Sequence, residues 1–267
     1  MDFKDKVVVV TGASSGIGEA LARRFSALGA HGGAGARSLG TPETVVAGVP
    51  TEGLAVQCDV SKEEDCRRLI DRAAEVYGRI DVLVNNAGIS MRALFDDVDL
   101  DVLRKLMDTN FWGTVYCTKY ALPYIQRSHG SIVGVSSVAG FHGLPGRTGY
   151  SASKYAMHGL LETVRIENLK KKVHVLIVAP GFTASNVRFA ALTADGSQQG
   201  ASPREEGKMM TADEAAARIV RAVAKRKRTL LMDFDGKATR ILKFFAPGLL
   251  DKLYYNHMAK EPDSPFK

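Results

Sequence analysis

Short apolar, β-branched runs alternate with amphipathic stretches along most of the chain. "KVVVVTG" (6–12), "LAVQCDV" (54–60), "IDVLVNNAG" (80–88), "GSIVGVSS" (130–137) and "VHVLIVAPG" (173–181) read as strands. Between them, "GEALARRFSALG" (18–29), "KEEDCRRLIDRAAEVYG" (62–78), "DLDVLRKLMDTNFWGTVYCTKYALPYIQ" (99–126) and "SASKYAMHGLLETVRIENLK" (151–170) repeat apolar residues at helical spacing. Nearly continuous Val/Ile/Leu strands belong to a parallel sheet covered on both faces. Their alternation with helices predicts an α/β fold: a doubly wound parallel sheet, Rossmann-like. Ligands bind such a sheet beyond the carboxyl ends of its strands.

One place breaks the pattern. A second strand is due after the first helix, yet "GAHGGAGARS" (29–38) has little β propensity. Either tertiary context imposes the strand or this edge of the sheet is irregular. The next stretch, "LGTPETVVAGVPTEG" (39–53), is broken by Pro42 and Pro50 and leaves room for a short helix only. Residues 183–212 are polar and dotted with glycine, which predicts a long mobile loop of the kind that serves as a lid.

Composition narrows the class without naming a function. A chain of 267 residues with 45% hydrophobic and 24% charged residues is long enough for one sizeable core, and a single domain is expected. Cys58, Cys66 and Cys117 are too few and scattered for a disulfide framework, and no Cys/His cluster has zinc spacing, so no metal is expected. The acidic start "MDFKDK" lacks the pattern of a secretory signal, and a cytoplasmic protein is expected. The net charge of +7 attracts polyanions nonspecifically, but no recognition module accompanies it and no nucleic-acid partner is expected. The run "KRKR" (225–228) follows the helical "TADEAAARIVRAV" (211–223) and reads as a solvated helix C-terminus.

Two motifs carry chemistry. "TGASSGIG" (11–18) follows the first strand and opens the first helix, the context of a phosphate-binding loop. Gly12, Ser14, Ser15, Gly16, Ile17 and Gly18 would bring the backbone, and the positive end of the helix dipole, to a pyrophosphate. "TGYSASKYAMHG" (148–159) puts Tyr150 and Lys154 on one helical face, where their heads can reach the same small molecule. Taken alone, that pair also describes a half-buried phenol beside a solvated ammonium group.

"TGASSGIG", "NNAG" (85–88), Asn110, Ser137, "YSASK" (150–154) and "PG" (180–181) occur in this order. As a set, spanning residues 6–185, they resemble the short-chain dehydrogenase/reductase family. The resemblance implies that Tyr150 is the acid/base and that Lys154 lowers its pKa and holds the nicotinamide ribose. It makes Ser137, preferred to Ser136 for its spacing to the tyrosine, the donor to the substrate oxygen. Asn110 would hold a water linking the lysine to solvent. On the cofactor side it implies Asp59 and Val60 at the adenine ring, with Asn86, Ala87 and Gly88 along the adenosine and ribose. Pro180, Gly181 and Thr183 would approach the nicotinamide. Arg37, where an acidic residue would favour NAD, accommodates a 2′-phosphate, so NADP(H) is expected, with Ser14 and Ser38 as further donors.

The activity implied is NADP(H)-dependent interconversion of a carbonyl and a secondary alcohol on a small hydrophobic substrate, whether a ketone, a steroid-like molecule or a 3-ketoacyl compound. The alternatives are a non-catalytic dinucleotide-binding regulator or scaffold, and an epimerase or dehydratase on the same fold. A homodimer or homotetramer is expected. Residues 1–236 would be the dinucleotide-binding and catalytic part, and 237–267 a C-terminal amphipathic tail. Within it, residues 237–258 predict two short helices divided near Pro247, covering the substrate entrance or a subunit interface. Peripheral membrane contact is the other expectation, since basic amphipathic segments sit among anionic headgroups.

Overall fold

The computed structural model describes residues 2–37, 53–181, 183, 189–200, 209–261 and 264–266. Seven strands, β1 (Val7–Thr11), β2 (His31–Ala36), β3 (Gly53–Gln57), β4 (Val82–Asn85), β5 (Ser131–Val135), β6 (His174–Ala179) and β7 (Thr229–Leu231), form one sheet in the order β3-β2-β1-β4-β5-β6-β7. Every pairing is parallel. The order reverses between β1 and β4, which opens a crevice at the carboxyl edge.

Helices cover both faces. α1 (Gly16–Ala27) and α6 (Ala212–Ala224) bury Leu21, Phe25, Ile219 and Val223 against Val8, Val10, Val84 and Val133. α2 (Glu63–Tyr77), α4 (Gly113–Ser128) and α5 (Thr148–Glu167) bury Leu69, Ile70, Ile125, Met157 and Leu161 against Val7, Val9, Leu83 and Ile132. Successive valines of β1 therefore enter opposite cores, which is why the strand shows no polar alternation. The long helical stretch before β5 is α3 (Leu100–Leu106), a π-helical segment at Met107–Trp112, and α4. Such π segments are rare and recur at functional sites.

The glycine-rich segment is a true strand, and it is interior, paired with β1 on one side and β3 on the other. Its glycines answer a packing demand. A Cβ at Gly35 would stand 2.6 Å from Leu69 Cδ2, and one at Gly33 would touch Val9 and Ala73 at 3.5 and 3.6 Å. Removing those side chains lets α2 settle closely on the sheet, and the two ladders offset the backbone entropy that glycine loses.

The polar segment before α6 also departs from expectation. In its described part, buried Leu192 donates to the Ser90 carbonyl at 2.9 Å and accepts from the Arg92 amide at 2.8 Å, so this stretch packs down on the β4–α3 connection. Ser38, most of the short helix expected within 39–53, and residues 182, 184–188 and 201–208 lie outside the described residues. The "KRKR" turn is more than a solvated helix end, because Arg226 donates to the His129 carbonyl at 3.1 Å and the Lys172 carbonyl at 2.6 Å, stapling three turns together.

The tail forms α7 (Phe234–Phe245) and α8 (Pro247–Ala259), divided just before Pro247 as its sequence predicts. Polar contacts pin it across the carboxyl edge of the sheet. Lys243 Nζ donates to the Phe141 carbonyl at 2.7 Å, His142 pairs with Asp251 at 3.2 Å and stacks on Tyr254, and Arg92 pairs with Glu261 at 3.6 Å. No described helix is long and apolar enough to cross a membrane.

A Gly35→Val substitution tests the packing argument. Overpacking of this kind costs about 1–3 kcal/mol, so the urea unfolding midpoint should fall, whereas Gly78→Ala, at a helix end with open space around the Cβ position, costs only the strain of its left-handed φ of 70°.

Candidate active site

The crevice holds a cavity of about 800 Å³ running from the end of β2 to the inner face of the tail. Gly12, Ser14, Ser15, Gly16 and Ile17 line it at the start of α1, where Gly12 and Gly16 adopt φ of 65° and 57°, values that favour glycine. Ser15 makes no side-chain cap bond, so the first-turn amides of α1 keep their capacity for an anion. Gly18 does not line the cavity. A Cβ there would stand 2.2 Å from the Gly12 carbonyl oxygen and 2.4 Å from Asn86 Nδ2, so this glycine lets the loop close on itself.

The end of β4 is tied to that loop. Thr11 Oγ1 accepts from the amides of Asn86 and Ala87, both at 3.1 Å, and Asn86 Nδ2 donates to the Thr11 and Gly12 carbonyls at 3.0 and 3.2 Å. Ala87 and Gly88 continue the wall. Asp59 and Val60 line the opposite side, the Asp59 carboxylate held by Ser61 Oγ at 2.8 Å. Arg37 lies exposed at the cavity margin, its carbonyl accepting from Gln57 Nε2 at 3.0 Å. Pro180, Gly181 and buried Thr183 line the far side, and Thr183 Oγ1 donates to the Gly181 carbonyl at 3.1 Å. A Gly-rich turn at a helix N-terminus, a carboxylate across from it and an exposed arginine at the β2 end match the donors and acceptors of a nicotinamide dinucleotide.

Tyr150 and Lys154 both reach the cavity from α5, with Lys154 Nζ 5.7 Å from the phenol ring centroid. Ser137 lines the cavity beside Tyr150 and lowers the phenol's pKa, whereas Ser136 Oγ lies 2.7 Å from His158 Nε2. Asn110, on the π-helical segment, is fully buried and does not line the cavity. Its Oδ1 accepts from the Ile89 amide at 2.9 Å, and its Nδ2 donates to the Ile89 carbonyl at 3.0 Å and to Ser153 Oγ at 2.9 Å. A Cβ at Gly88 would sit 3.0 Å from Asn110 Oδ1 and 3.4 Å from Lys154 Nζ, so that glycine brings the asparagine and the lysine to one spot.

The electrostatics differ from the sequence expectation in one respect. Burial pushes the Tyr150 phenol above the usual range, and it is the Ser137 hydrogen bond and then the Arg147 charge that pull it back. Lys154 lies over the phenol ring. Its ammonium donates to the Val135 carbonyl at 3.0 Å, and burial pushes its pKa down to about 8. Arg147, one turn before Tyr150, lines the cavity and is tied to the Met91 carbonyl; the "GRTGY" stretch carries no periodic signal that marks it. The tail side of the cavity mixes apolar Leu242, Leu250 and Leu253 with polar Thr239, Asn256 and His257.

Comparison with known proteins agrees with this geometry. Residues 6–195 match the family described as short chain dehydrogenase. An 11-beta-hydroxysteroid dehydrogenase A of Arachis hypogaea is 44% identical over 196 residues, which cover 68% of this chain and 53% of that protein, so the chain spans about half of that relative's length. Dehydrogenase/reductase SDR family member 7B of Mus musculus is 36% identical over 272 residues, 98% of this chain and 84% of the relative. A short chain dehydrogenase/reductase structure from Burkholderia phymatum in complex with NAD superimposes with a TM-score of 0.81 at 25% identity, covering 93% of this chain and 96% of the other. With its ordered motifs, its parallel sheet and these relatives, the chain belongs to the short-chain dehydrogenase/reductase family of oxidoreductases.

Proposed function

We propose that this chain is an NADP(H)-dependent oxidoreductase that interconverts a ketone and a secondary alcohol on a small hydrophobic substrate. The observation that carries the reading is one cavity lined by Ser137, Tyr150 and Lys154 together with the glycine-rich loop at the start of α1. The dinucleotide, when bound, supplies or accepts the hydride. Tyr150, a phenol protonated at neutral pH, gives its proton to the substrate oxygen during reduction, while Ser137 holds the same oxygen. Lys154, a buried donor, binds the nicotinamide ribose, and Asn110 orients a water that links the lysine to solvent. Leu242, Leu250 and Leu253 in the cavity wall and the hydroxysteroid dehydrogenase name of a relative favour a steroid-like or lipid-like substrate.

NADPH consumption across ketones, aldehydes, steroids and 3-ketoacyl compounds tests the reaction. Tight NADPH binding with no turnover of any of them would favour the non-catalytic regulator. Tyr150→Phe should lower kcat by about 10² to 10⁴-fold with NADPH binding retained, because it removes only the proton donor. Lys154→Ala should weaken both binding and rate. Activity surviving in the phenylalanine variant would remove Tyr150 from the acid/base role.

Cofactor preference rests on Arg37. A charge-assisted contact to the 2′-phosphate is worth roughly 1.5–3 kcal/mol, so Arg37→Leu should raise the KM for NADPH about ten- to a hundredfold and leave NADH kinetics nearly unchanged. Equal loss with both cofactors would make Arg37 a structural residue.

The protein is read as cytoplasmic and homo-oligomeric, a dimer or tetramer, with the outer face of the tail as a peripheral membrane contact. Phe244 and Phe245 are 81% and 84% exposed, and the same two helices expose Ile241, Leu249 and the cations Lys237, Arg240 and Lys252. Two such faces meeting across a twofold axis would bring like charges together, whereas an anionic bilayer accepts both the aromatics and the cations. Flotation with anionic liposomes should carry the protein, and Phe244→Ser with Phe245→Ser should release it. A self-association constant that changes with this double substitution, with no liposome binding, would assign the face to a subunit interface.

A further inference from the structure

His158 is a buried polar group that the proposed reaction does not use. It lies four residues after Lys154 and eight after Tyr150, on the same face of α5, and its Nε2 is 2.7 Å from Ser136 Oγ. Both partners are buried, at 8% and 5% exposure. The Ser136 amide donates to the Val178 carbonyl at 2.7 Å, so this residue still belongs to the sheet ladder. The next residue leaves it. Ser137 is extended, caps the short 3-10 turn Val138–Gly140 by accepting from the Ala139 amide at 3.2 Å, and lines the cavity with Tyr150.

The turn that Ser137 caps is the turn that covers the His158–Ser136 bond. A Cβ at Gly140 would stand 2.6 Å from His158 Nε2 and 2.7 Å from Ser136 Oγ, so only glycine lets the turn lie over the pair. Phe141 then packs edge-on against the imidazole, with ring centroids 4.6 Å apart. The histidine thus touches the segment 136–141 at both ends and from below, while its own helix carries the tyrosine and the lysine. Charge is kept out of this brace. Burial, then Lys154 and Lys243, hold the imidazole pKa down to about 4, so it is neutral at physiological pH and does not repel the ammonium one turn away.

We propose that His158 is a positioning residue for the reaction, its hydrogen bond to Ser136 fixing segment 136–140 on α5 so that Ser137, and not its neighbour, meets Tyr150. The proposal rests on the oxidoreductase reading for its kinetic consequence, although the bond itself does not.

The test is a double-mutant cycle on the intact protein, with kcat, the KM for NADPH and urea stability measured for His158→Leu, Ser136→Ala, the double variant and His158→Gln. Misplacing one group of a reacting pair costs up to about a hundredfold, so the leucine and alanine variants should each lose roughly ten- to a hundredfold in kcat with little change in the KM for NADPH. The double variant should lose no more than either single one, since both remove the same bond. Glutamine, whose amide can reach Ser136, should restore most of the rate. Losses that add, a glutamine variant as poor as leucine, or lowered stability with unchanged kcat would overturn the proposal and leave a histidine that only packs. Should His158→Leu fail to fold, Ser136→Ala decides alone, because it opens almost no cavity. If the wild-type protein turned over no carbonyl, the oxidoreductase reading would fail separately. The brace would then be read from the imidazole ¹⁵N shifts, which Ser136→Ala should move if it exists and leave in place if it does not.

Discussion

The packing of α5 against the carboxyl end of β5 is the constraint on which the rest of the site depends. One helix face carries Tyr150, Lys154 and His158 at successive turns, and the strand end opposite supplies the Val135 carbonyl to the lysine, Ser136 to the histidine, and Ser137 to the cavity beside the tyrosine. A helix repeats its face every four residues and a strand alternates every two, so the two elements meet in register only if each is held rigidly. That rigidity is built in below the site, where Met157 and Leu161 are buried with Ile132, and where a Cβ at Gly134 would stand 2.3 Å from Leu161 Cδ1. The glycine lets the helix approach close enough for short polar contacts above it.

Close approach has an electrostatic consequence. The same burial that aligns these groups raises the phenol and lowers the amine and the imidazole, in each case favouring the neutral form. The three shifts share a cause but serve different ends. A neutral imidazole, for one, can bond a serine beside an ammonium group without repelling it. The lysine alone keeps a direct tie to a backbone carbonyl, which steadies its charge until a ligand shares it. Arg147, at the N-cap of the helix, is a charge that lowers the phenol's pKa against the effect of burial.

The tail completes the site from outside the sheet. Residues from α7 and α8 form one wall of the cavity, while the contacts of Lys243, Asp251 and Glu261 hold that wall against loops at the carboxyl edge of the strands. This wall is therefore built by a segment distant in sequence from the glycine loop and from the Tyr150–Lys154 pair.

What the sequence determined by itself was periodicity and short-range chemistry. The valine runs, the glycine loop after β1, the four-residue spacing of Tyr150 and Lys154, and the break at Pro247 are local patterns whose physical meaning does not depend on distant residues. Resemblance added the order of the motifs, and so pointed to Asn110 and to Ser137. Only the tertiary structure decided the rest, because each remaining question concerns residues far apart in the chain. The glycine-rich β2 is a strand because Leu69 of a later helix needs the space that its missing side chains leave. Gly18 closes the loop instead of lining the cavity because Asn86 sits against it, and "KRKR" holds three turns together because the fold sets the His129 and Lys172 carbonyls beside Arg226. Propensity and spacing report what a segment prefers in isolation, whereas the partner that overrules the preference is supplied by the fold.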